Sequence, residues 1–176
     1  FGRYELRQLL GKSSATMAWL AADPASGRDF MLHLPRVRPA GALALEAWMH
    51  DARMGTRLNH PHLAPIAEIG VQDQWPYLAI ERTVGITLAE WLQAHPGSPV
   101  IERVGLLCQA LEGLAFAHEA GVVHQDLQLH HLLVDDRGQV RVAATDIVVE
   151  TTLVETAFGA LHPQLPAAGP ASALDI

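Results

Sequence analysis

The 176-residue sequence contains only one cysteine, one lysine and one asparagine: Cys108, Lys12 and Asn59. A single cysteine cannot form an internal disulfide, which favours a reducing compartment. Its apolar helical surroundings predict that Cys108 packs in the core. Basic residues are also few, with 12 Lys+Arg against 19 Asp+Glu and a net charge of -7. An acidic chain with scattered basic residues argues against nucleic acid or an anionic membrane as the main partner.

Long apolar runs are missing as well. No run reaches the length of a membrane-spanning helix, and the first residues lack the basic-then-apolar order of a signal peptide. We therefore expect no membrane segment in this chain and a cytoplasmic location, either alone or as the cytoplasmic part of a larger, membrane-anchored protein. Because the sequence opens on Phe1, we expect it to be a piece of a longer protein.

The first half of the sequence is divided by turn-forming stretches into five short segments typical of strands. These segments are YELRQLL, MAWLAAD, FMLHL, APIAEIGV and YLAIER. Between the third and the fourth lies ALALEAWMHDARMGTRL, whose apolar residues recur near helical spacing, although Gly55 weakens the pattern. The prediction is a small antiparallel sheet with one helix beside it.

The second half of the sequence indicates helices. Thr87 is placed to cap a helix over TLAEWLQAH, and a longer helix ends at Gly121. The longer helix carries an apolar stripe of the kind that packs against a core, formed by Val100, Val104, Leu107, Leu111 and Leu114. After it, two short strands around the turn DDRG predict a β-hairpin over residues 131–143.

The stretch HQDLQLHHLL, from His124 to Leu133, resembles the catalytic loop of protein kinases, H-R-D-L-K-P-x-N-I-L. Other segments resemble bacterial Ser/Thr kinases of the eukaryotic (Hanks) type, in the same order along the chain. They are GRYELRQLLGKSSATMAWLAAD around the glycine-rich loop, RLNHPHLAPI after the αC helix, YLAIERTVGITLAEWL at the hinge, and ALHPQL and ALDI near the end.

This resemblance implies an α+β, protein-kinase-like fold. Residues 1–84 would form a five-stranded antiparallel N-lobe with one αC helix, and Ile80 to Val84 would form the hinge. Residues 85–176 would form a truncated, mainly helical C-lobe that ends before the αF helix. We expect the nucleotide cleft of the family to lie between these lobes.

The cleft positions of the N-lobe depart from the family. The glycine-rich loop keeps only Gly11, followed by Lys12, so side chains fill the space where backbone amides would approach phosphate. We interpret it as a plain turn without a ligand. The strand lysine is replaced by His33, which is mostly neutral at pH 7, and its glutamate partner by Asp51. Both side chains are shorter, so we expect no direct contact between them.

The catalytic loop keeps His124 and Asp126, and Asp126 would orient the substrate hydroxyl in an active member of the family. Gln128 replaces the lysine that steadies the transferred phosphoryl group, and His131 replaces the magnesium-binding asparagine. A neutral imidazole suits softer metals than magnesium. We interpret Asp126 as retained for the backbone hydrogen bonds that it accepts in a tight loop.

The second magnesium ligand of the family, the Asp of D-F-G, corresponds to Ala144. Two ways of supplying the missing groups remain open. A two-residue register slip would preserve strand facing and bring Asp146 to that position. Lys12 would replace the missing strand lysine, as in kinases that recruit theirs from the glycine-rich loop.

A zinc site at His124, His130 and His131 is disfavoured. Neighbouring residues of an extended chain point to opposite faces, so His130 and His131 would not share one ion. No other ligand completes a set with recognised spacing, and we predict no metal site.

Losing several preorganised charged groups at once is expected to abolish ordinary phosphoryl transfer. The sequence therefore predicts a catalytically inactive pseudokinase, a protein-interaction or allosteric regulatory module whose partner is another protein or a fused domain. ATP and magnesium are expected not to bind usefully. The alternative is a divergent nucleotide-dependent phosphotransferase that uses Lys12, Asp126 and Asp146.

Overall fold

The computed structural model describes residues 1–143 and the strand at 147–149. Five strands form one antiparallel sheet in the order β1-β2-β3-β5-β4. Their bounds are Glu5–Lys12, Thr16–Asp23, Arg28–Pro35, Glu68–Gln72 and Trp75–Glu81. Helix α1, Ala42–Thr56, packs against β4 and β5. The predicted five-stranded sheet with one helix is confirmed.

Strand β3 is buried on both faces because it lies inside the sheet and between two layers of side chains. Successive residues of a strand point to opposite sides. Phe30, Leu32 and Leu34 join the aromatic core on one side of the sheet. Met31 and His33 point to the other side, where residues of the second half of the chain pack. The sheet thus presents its inner face to the candidate cleft.

The described part of the second half contains helices α2 and α3 and five short strands. The helices span Leu88–Ala94 and Val100–Glu119, and the strands β6 to β10 span Ile86–Thr87, Val122–His124, Leu132–Val134, Val140–Val142 and Ile147–Val149. Strands β6, β8 and β9 form one antiparallel sheet, and β7 pairs with β10. The predicted hairpin is confirmed as β8 and β9.

Local signals set the ends of these helices. The Thr87 hydroxyl accepts the Glu90 N–H at 3.2 Å, while the Glu90 carboxylate accepts the Thr87 N–H at 2.8 Å. This reciprocal pair is a capping box, and it confirms the predicted cap of α2. Gly121, with φ of 73°, follows α3 and donates its N–H to the His118 carbonyl. Glycine adopts this left-handed conformation without steric cost, so the predicted helix end is also confirmed.

The loop after α1 is anchored to the second half of the chain. The Ala64 N–H donates to the Val142 carbonyl at 2.8 Å, and the Val142 N–H donates to the His62 carbonyl at 2.9 Å. The His62 ring bonds the Val140 carbonyl at 2.8 Å. Gly113 of α3 approaches the same loop so closely that a Cβ there would lie 2.4 Å from the His62 carbonyl oxygen.

The apolar stripe of α3 faces solvent, so the prediction that this stripe packs is wrong. Exposure is 74% at Val100, 46% at Val104, 47% at Leu107 and 62% at Leu111, and only Leu114 packs partly against the core. The buried face consists of Leu106, Ala110, Gly113 and Ala117. Close approach of the backbone near Gly113 requires small residues there, which a pattern of large apolar residues does not reveal.

Cys108 lies on the exposed side of the same helix, so the prediction that it packs in the core is also wrong. Within residues 1–143 and 147–149, the structure contains no helix with the length and hydropathy needed to cross a bilayer.

The assignment of the two α3 faces predicts opposite effects of two neighbouring truncations. Leu106→Ala should lower the free energy of unfolding by about 2–5 kcal/mol, because it leaves a cavity in the core. Leu107→Ala should change it by about 0.5 kcal/mol at most, because the side chain is half exposed. Chemical denaturation of both variants measures the difference, and equal losses would contradict the assignment.

Candidate functional site

The turn between β1 and β2 is closed by its own hydrogen bonds. The Ser13 N–H donates to the Thr16 carbonyl at 3.0 Å. The Ser13 hydroxyl oxygen accepts the N–H groups of Ala15 at 3.2 Å and Thr16 at 2.9 Å. The Arg36 guanidinium donates to the Ser13 carbonyl at 3.2 Å. The predicted loop between Gly11 and the second strand is therefore a tight turn held by a serine, as Ser and Thr hydroxyls do in turns.

Asp126 ties this turn to the second half of the chain. Its Oδ2 accepts the Ser14 N–H at 2.7 Å, and its Oδ1 accepts from the Gln128 side-chain amide. These two bonds, the Ser14 bond first, lower the pKa of the Asp126 carboxyl to about 2. Asp126 is thus a carboxylate that uses both oxygens to hold the chain.

His130 fills the space above Gly11. A Cβ on Gly11 would lie 2.4 Å from the His130 Nδ1 and 2.8 Å from its Cβ, so only glycine allows this contact. His130 is 4% exposed. The remaining glycine of the loop therefore contacts a side chain of the chain itself.

His33 lies at the centre of the sheet with no accessible surface, and neither ring nitrogen has a hydrogen-bond partner among the residues described. Burial, with the nearby His130 and His124 adding to it, lowers the pKa of His33 to about 3. Asp51 lies half-buried on α1, and burial raises its carboxyl pKa. Among the described residues, no hydrogen bond therefore joins His33 to Asp51.

His131 lies next to His33, with 5.9 Å between the ring centroids. It belongs to the short 3₁₀ turn Leu129–His131, and its Nδ1 accepts the Gln128 N–H at 3.1 Å. The rings of His130 and His131 are 4.1 Å apart, so the expectation that these neighbours diverge as in extended chain is wrong. With three residues per turn, consecutive side chains of a 3₁₀ turn point about 120° apart rather than to opposite faces as in a strand, so neighbouring rings can approach each other.

The part of the chain that the structure describes contains no group of three His, Cys, Asp or Glu side chains with the geometry to hold a metal ion. Burial is the main cause that lowers the pKa of His131 to about 2 and of His124 to about 4. Imidazoles with such values are neutral at neutral pH.

The apolar side of the site is filled by side chains from both halves of the chain. Met31 and Ile80 from the sheet pack with Leu133 and Ala143 from the hairpin region, and each of the four is at most 1% exposed. Leu10 and Val84 pack partly against this cluster. Ile80 thus lies in a continuous apolar core at the place where the chain passes from the sheet to the 3₁₀ turn Arg82–Val84.

Lys12, the last residue of β1, is exposed and lies opposite Met17 of β2. Within the described residues its side chain makes no hydrogen bond or ion pair. Ala144 and Asp146 lie outside the described residues, so the register slip that would use Asp146 stays a prediction.

The structure brings together Gly11, His33, Asp126, Gln128 and His131, and places Asp51 and Lys12 outside this group. Sequence reasoning missed Ser13, Ser14 and Met31. The spacing Ser-x-x-Thr in a loop with one glycine indicates a hydroxyl-capped turn, and this signal was available for Ser13. No local signal shows that Ser14 bonds to Asp126, because the two residues are 112 positions apart.

The contact between Gly11 and His130 generates a prediction. Gly11→Ala should lower the free energy of unfolding by about 1–3 kcal/mol, because the new methyl group overpacks the site. Gly105→Ala is the matched control, since nothing lies within 4 Å of its new Cβ and alanine is the better helix former by about 0.5–1 kcal/mol. Thermal or urea unfolding measures both.

A double variant makes the test specific. Adding Gly11→Ala to His130→Gly, which removes both the ring and the Cβ that would lie 2.8 Å away, should cost much less than adding it to the wild type. A Gly11→Ala variant as stable as the wild type would contradict the contact.

Comparison with known proteins agrees with this architecture. The chain is 27% identical to the serine/threonine-protein kinase PrkC of Bacillus subtilis over 156 residues, which are 88% of this chain and 24% of PrkC. It is 30% identical to the serine/threonine-protein kinase PknL of Mycobacterium bovis over 147 residues, 83% of this chain and 37% of PknL. The chain therefore spans between about a quarter and two fifths of these relatives.

The solved kinase domain of Mycobacterium tuberculosis PknI superimposes with a TM-score of 0.59 and 20% sequence identity, over 84% of this chain and 61% of that structure. This likeness shows the fold. The model of the protein kinase domain matches residues 4–153. Since the match covers most of the sequence, the chain belongs to the protein kinase domain family, with bacterial serine/threonine-protein kinases among its relatives.

Proposed function

We propose that the chain is a pseudokinase domain, a cytoplasmic module that binds or regulates another protein or a fused domain without transferring phosphate. The observation that carries the proposal is the turn between β1 and β2. Its four amide N–H groups all donate to acceptors of the chain itself, at Ser13, Ser14, Ala15 and Thr16. Loops that cradle phosphate need such amides free to donate to the phosphate oxygens. The occupied amides therefore support a role other than phosphate binding.

The electrostatics of the site support the same proposal. His33 and His131 are neutral at neutral pH, and Gln128 carries no charge, so these three positions offer no cation to a triphosphate. Asp126 is ionised. An anionic ligand would thus meet a carboxylate and neutral imidazoles, which is unfavourable where water is excluded.

The rival function is a divergent phosphotransferase that uses Lys12, Asp126 and Asp146. Ionised Asp126 satisfies one of its requirements, but both carboxylate oxygens already hold Ser14 and Gln128. Such an enzyme would have to open these contacts before a substrate hydroxyl reached Asp126.

Nucleotide binding separates the two functions. We expect magnesium-ATP to bind with a dissociation constant above about 1 mM, which at about 1 mM ligand stabilises the fold by at most about 0.4 kcal/mol. The melting temperature should then rise by no more than about one to two degrees. The measurement is a thermal-shift titration of the wild type, Lys12→Ala and Asp146→Ala with ATP, each with and without magnesium. A larger shift that requires magnesium and disappears in either variant would favour the phosphotransferase.

The exposed side of α3 supports a role in protein binding. Four apolar residues, Val100, Val104, Leu107 and Leu111, recur there at intervals of four and three and are 46–74% exposed. A row with this spacing matches the seam that a second helix fills in a helix pair. In this proposal, the partner or fused domain therefore contributes an apolar helix to the α3 surface.

Two variants separate this surface from the site around Asp126. Asp126→Asn should leave partner binding unchanged, because the asparagine keeps the shape of the side chain and one oxygen acceptor for the Ser14 N–H. The double variant Leu107→Glu/Leu111→Glu should abolish binding, because charges on the α3 surface cannot be buried without a partner of their own. Both are measured as retention of the partner by the full-length protein. Loss of binding in a folded Asp126→Asn variant would count against the proposal.

A further inference from the structure

Four histidines converge where the sheet meets the second half of the chain. His33 comes from β3, His124 ends β7, and His130 and His131 come from the 3₁₀ turn Leu129–His131. The His131 ring centroid lies 5.9, 4.8 and 4.1 Å from those of His33, His124 and His130. We call these four residues the histidine cluster. Its position makes it part of the contact between the two halves of the chain.

Two residues of the cluster fill the space between the two halves of the chain. His130 occupies the place above Gly11 at the end of β1, and His33 packs toward His131 from the middle of the sheet. The Ser14 N–H bond to Asp126 lies across the same gap. Separating the two halves would therefore break all of these contacts and admit water to the imidazoles.

The hydrogen bond at His131 requires a neutral ring. The Gln128 N–H donates to the His131 Nδ1, which accepts only while it carries no proton. Protonation would place an N–H against an N–H and lose the bond that shapes the turn. His131 thus has a geometric reason to remain neutral in the closed structure.

We propose that the histidine cluster is an acid-sensitive latch, which holds the two halves of the chain closed at neutral pH and releases them on mild acidification. This inference concerns how the closed structure is regulated, and it does not depend on whether the chain transfers phosphate.

Few charged groups on the elements around the histidine cluster would stabilise protonated rings in the closed structure. Asp126 is the carboxylate that raises the pKa values of His124, His130 and His131, while His118 of α3 acts in the opposite direction on His124. Glu90 of α2 is already held by Arg82 and Thr87. Lys12 at the end of β1 is exposed, and β6 carries no titratable group. Among the described residues, Asp126 therefore acts on three of the four imidazoles, and His33 has no such carboxylate.

Burial is the main cause that lowers the pKa of every ring in the cluster, to about 3 at His33, about 4 at His124 and about 2 at His131, with His130 lowered as well. In water an imidazole has a pKa of about 6.5. The opened chain therefore binds more protons than the closed one, so closure is fully stable above about pH 6.5 and weakens as the pH falls toward the lowered values.

The size of the effect follows from this difference. Between about pH 7.5 and pH 5.5, each histidine that becomes solvated on opening shifts the closed-to-open ratio by about tenfold toward the open form. Three such residues would change the ratio by about a thousandfold. This change is large against the modest stability of a single domain.

The test is amide hydrogen exchange followed from pH 7.5 to 5.5, corrected for the intrinsic rate at each pH. We expect the protection of Ser14, whose N–H donates to Asp126 across the gap, to fall by at least about a hundredfold, while the protection of Leu32 and Ala79 in the sheet falls much less. Constant protection of the turn would overturn the proposal. An equal loss at all three amides would mean global acid unfolding and would overturn it too.

Two variants assign the effect to the cluster. His33→Leu replaces one protonatable ring by an apolar side chain that can fill the same space. The pH-dependent loss of protection at Ser14 should therefore shrink by about tenfold. His50→Gln removes an exposed histidine of α1 and should leave the loss unchanged. If His33→Leu folds and loses protection with the wild-type pH dependence, the latch does not reside in the cluster. If it does not fold, the wild-type profile still decides the proposal.

Discussion

The hydrogen bond from the Ser14 N–H to the Asp126 carboxylate is the contact on which the rest of the site depends. It joins a turn of the sheet to a loop 112 positions later and brings the two halves of the chain together at one point. With that distance fixed, His130 can fill the place above Gly11. The same carboxylate that would orient a substrate hydroxyl in a family member with the usual loop here accepts a backbone amide. A family position can thus keep its residue while the partner of that residue changes.

A neutral imidazole at His33, in place of the lysine of the family, avoids the cost of burying a charge in the closed structure. A buried lysine without its carboxylate partner would be costly, because an unpaired charge loses its hydration and gains nothing in return. His33 avoids this cost by remaining neutral, and Asp51, with its raised carboxyl pKa, is left half-buried on α1. The two substitutions are therefore consistent with each other. A neutral ring at His33 needs no carboxylate partner, and neither of its ring nitrogens has a hydrogen-bond partner among the described residues.

Patterns in the sequence predict the elements whose determinants are local. The five strands, the Thr87 cap and the turn before β9 follow from alternation, capping and turn chemistry, which act over a few residues. The buried face of α3 does not follow from such local patterns. The close packing at Gly113 is set by the carbonyl of His62, which is far away in the sequence. The site divides in the same way. Gly11, His33 and Asp126 follow from a family resemblance, whereas their contacts with His130 and Ser14 depend on how the two halves meet.

The anchored loop between α1 and β4 has a mechanical consequence. Ala64 and His62 fasten this loop to β9 by backbone bonds, and Gly113 leaves it no room to move toward α3. The C-terminal end of α1 is therefore a fixed pivot. Its N-terminal end has no side-chain cap at Gly41 and lies at the surface, so any displacement of the helix must be a swing about the anchored end. Such a swing moves Asp51, near the middle of the lever, over a shorter arc than the residues at the free tip.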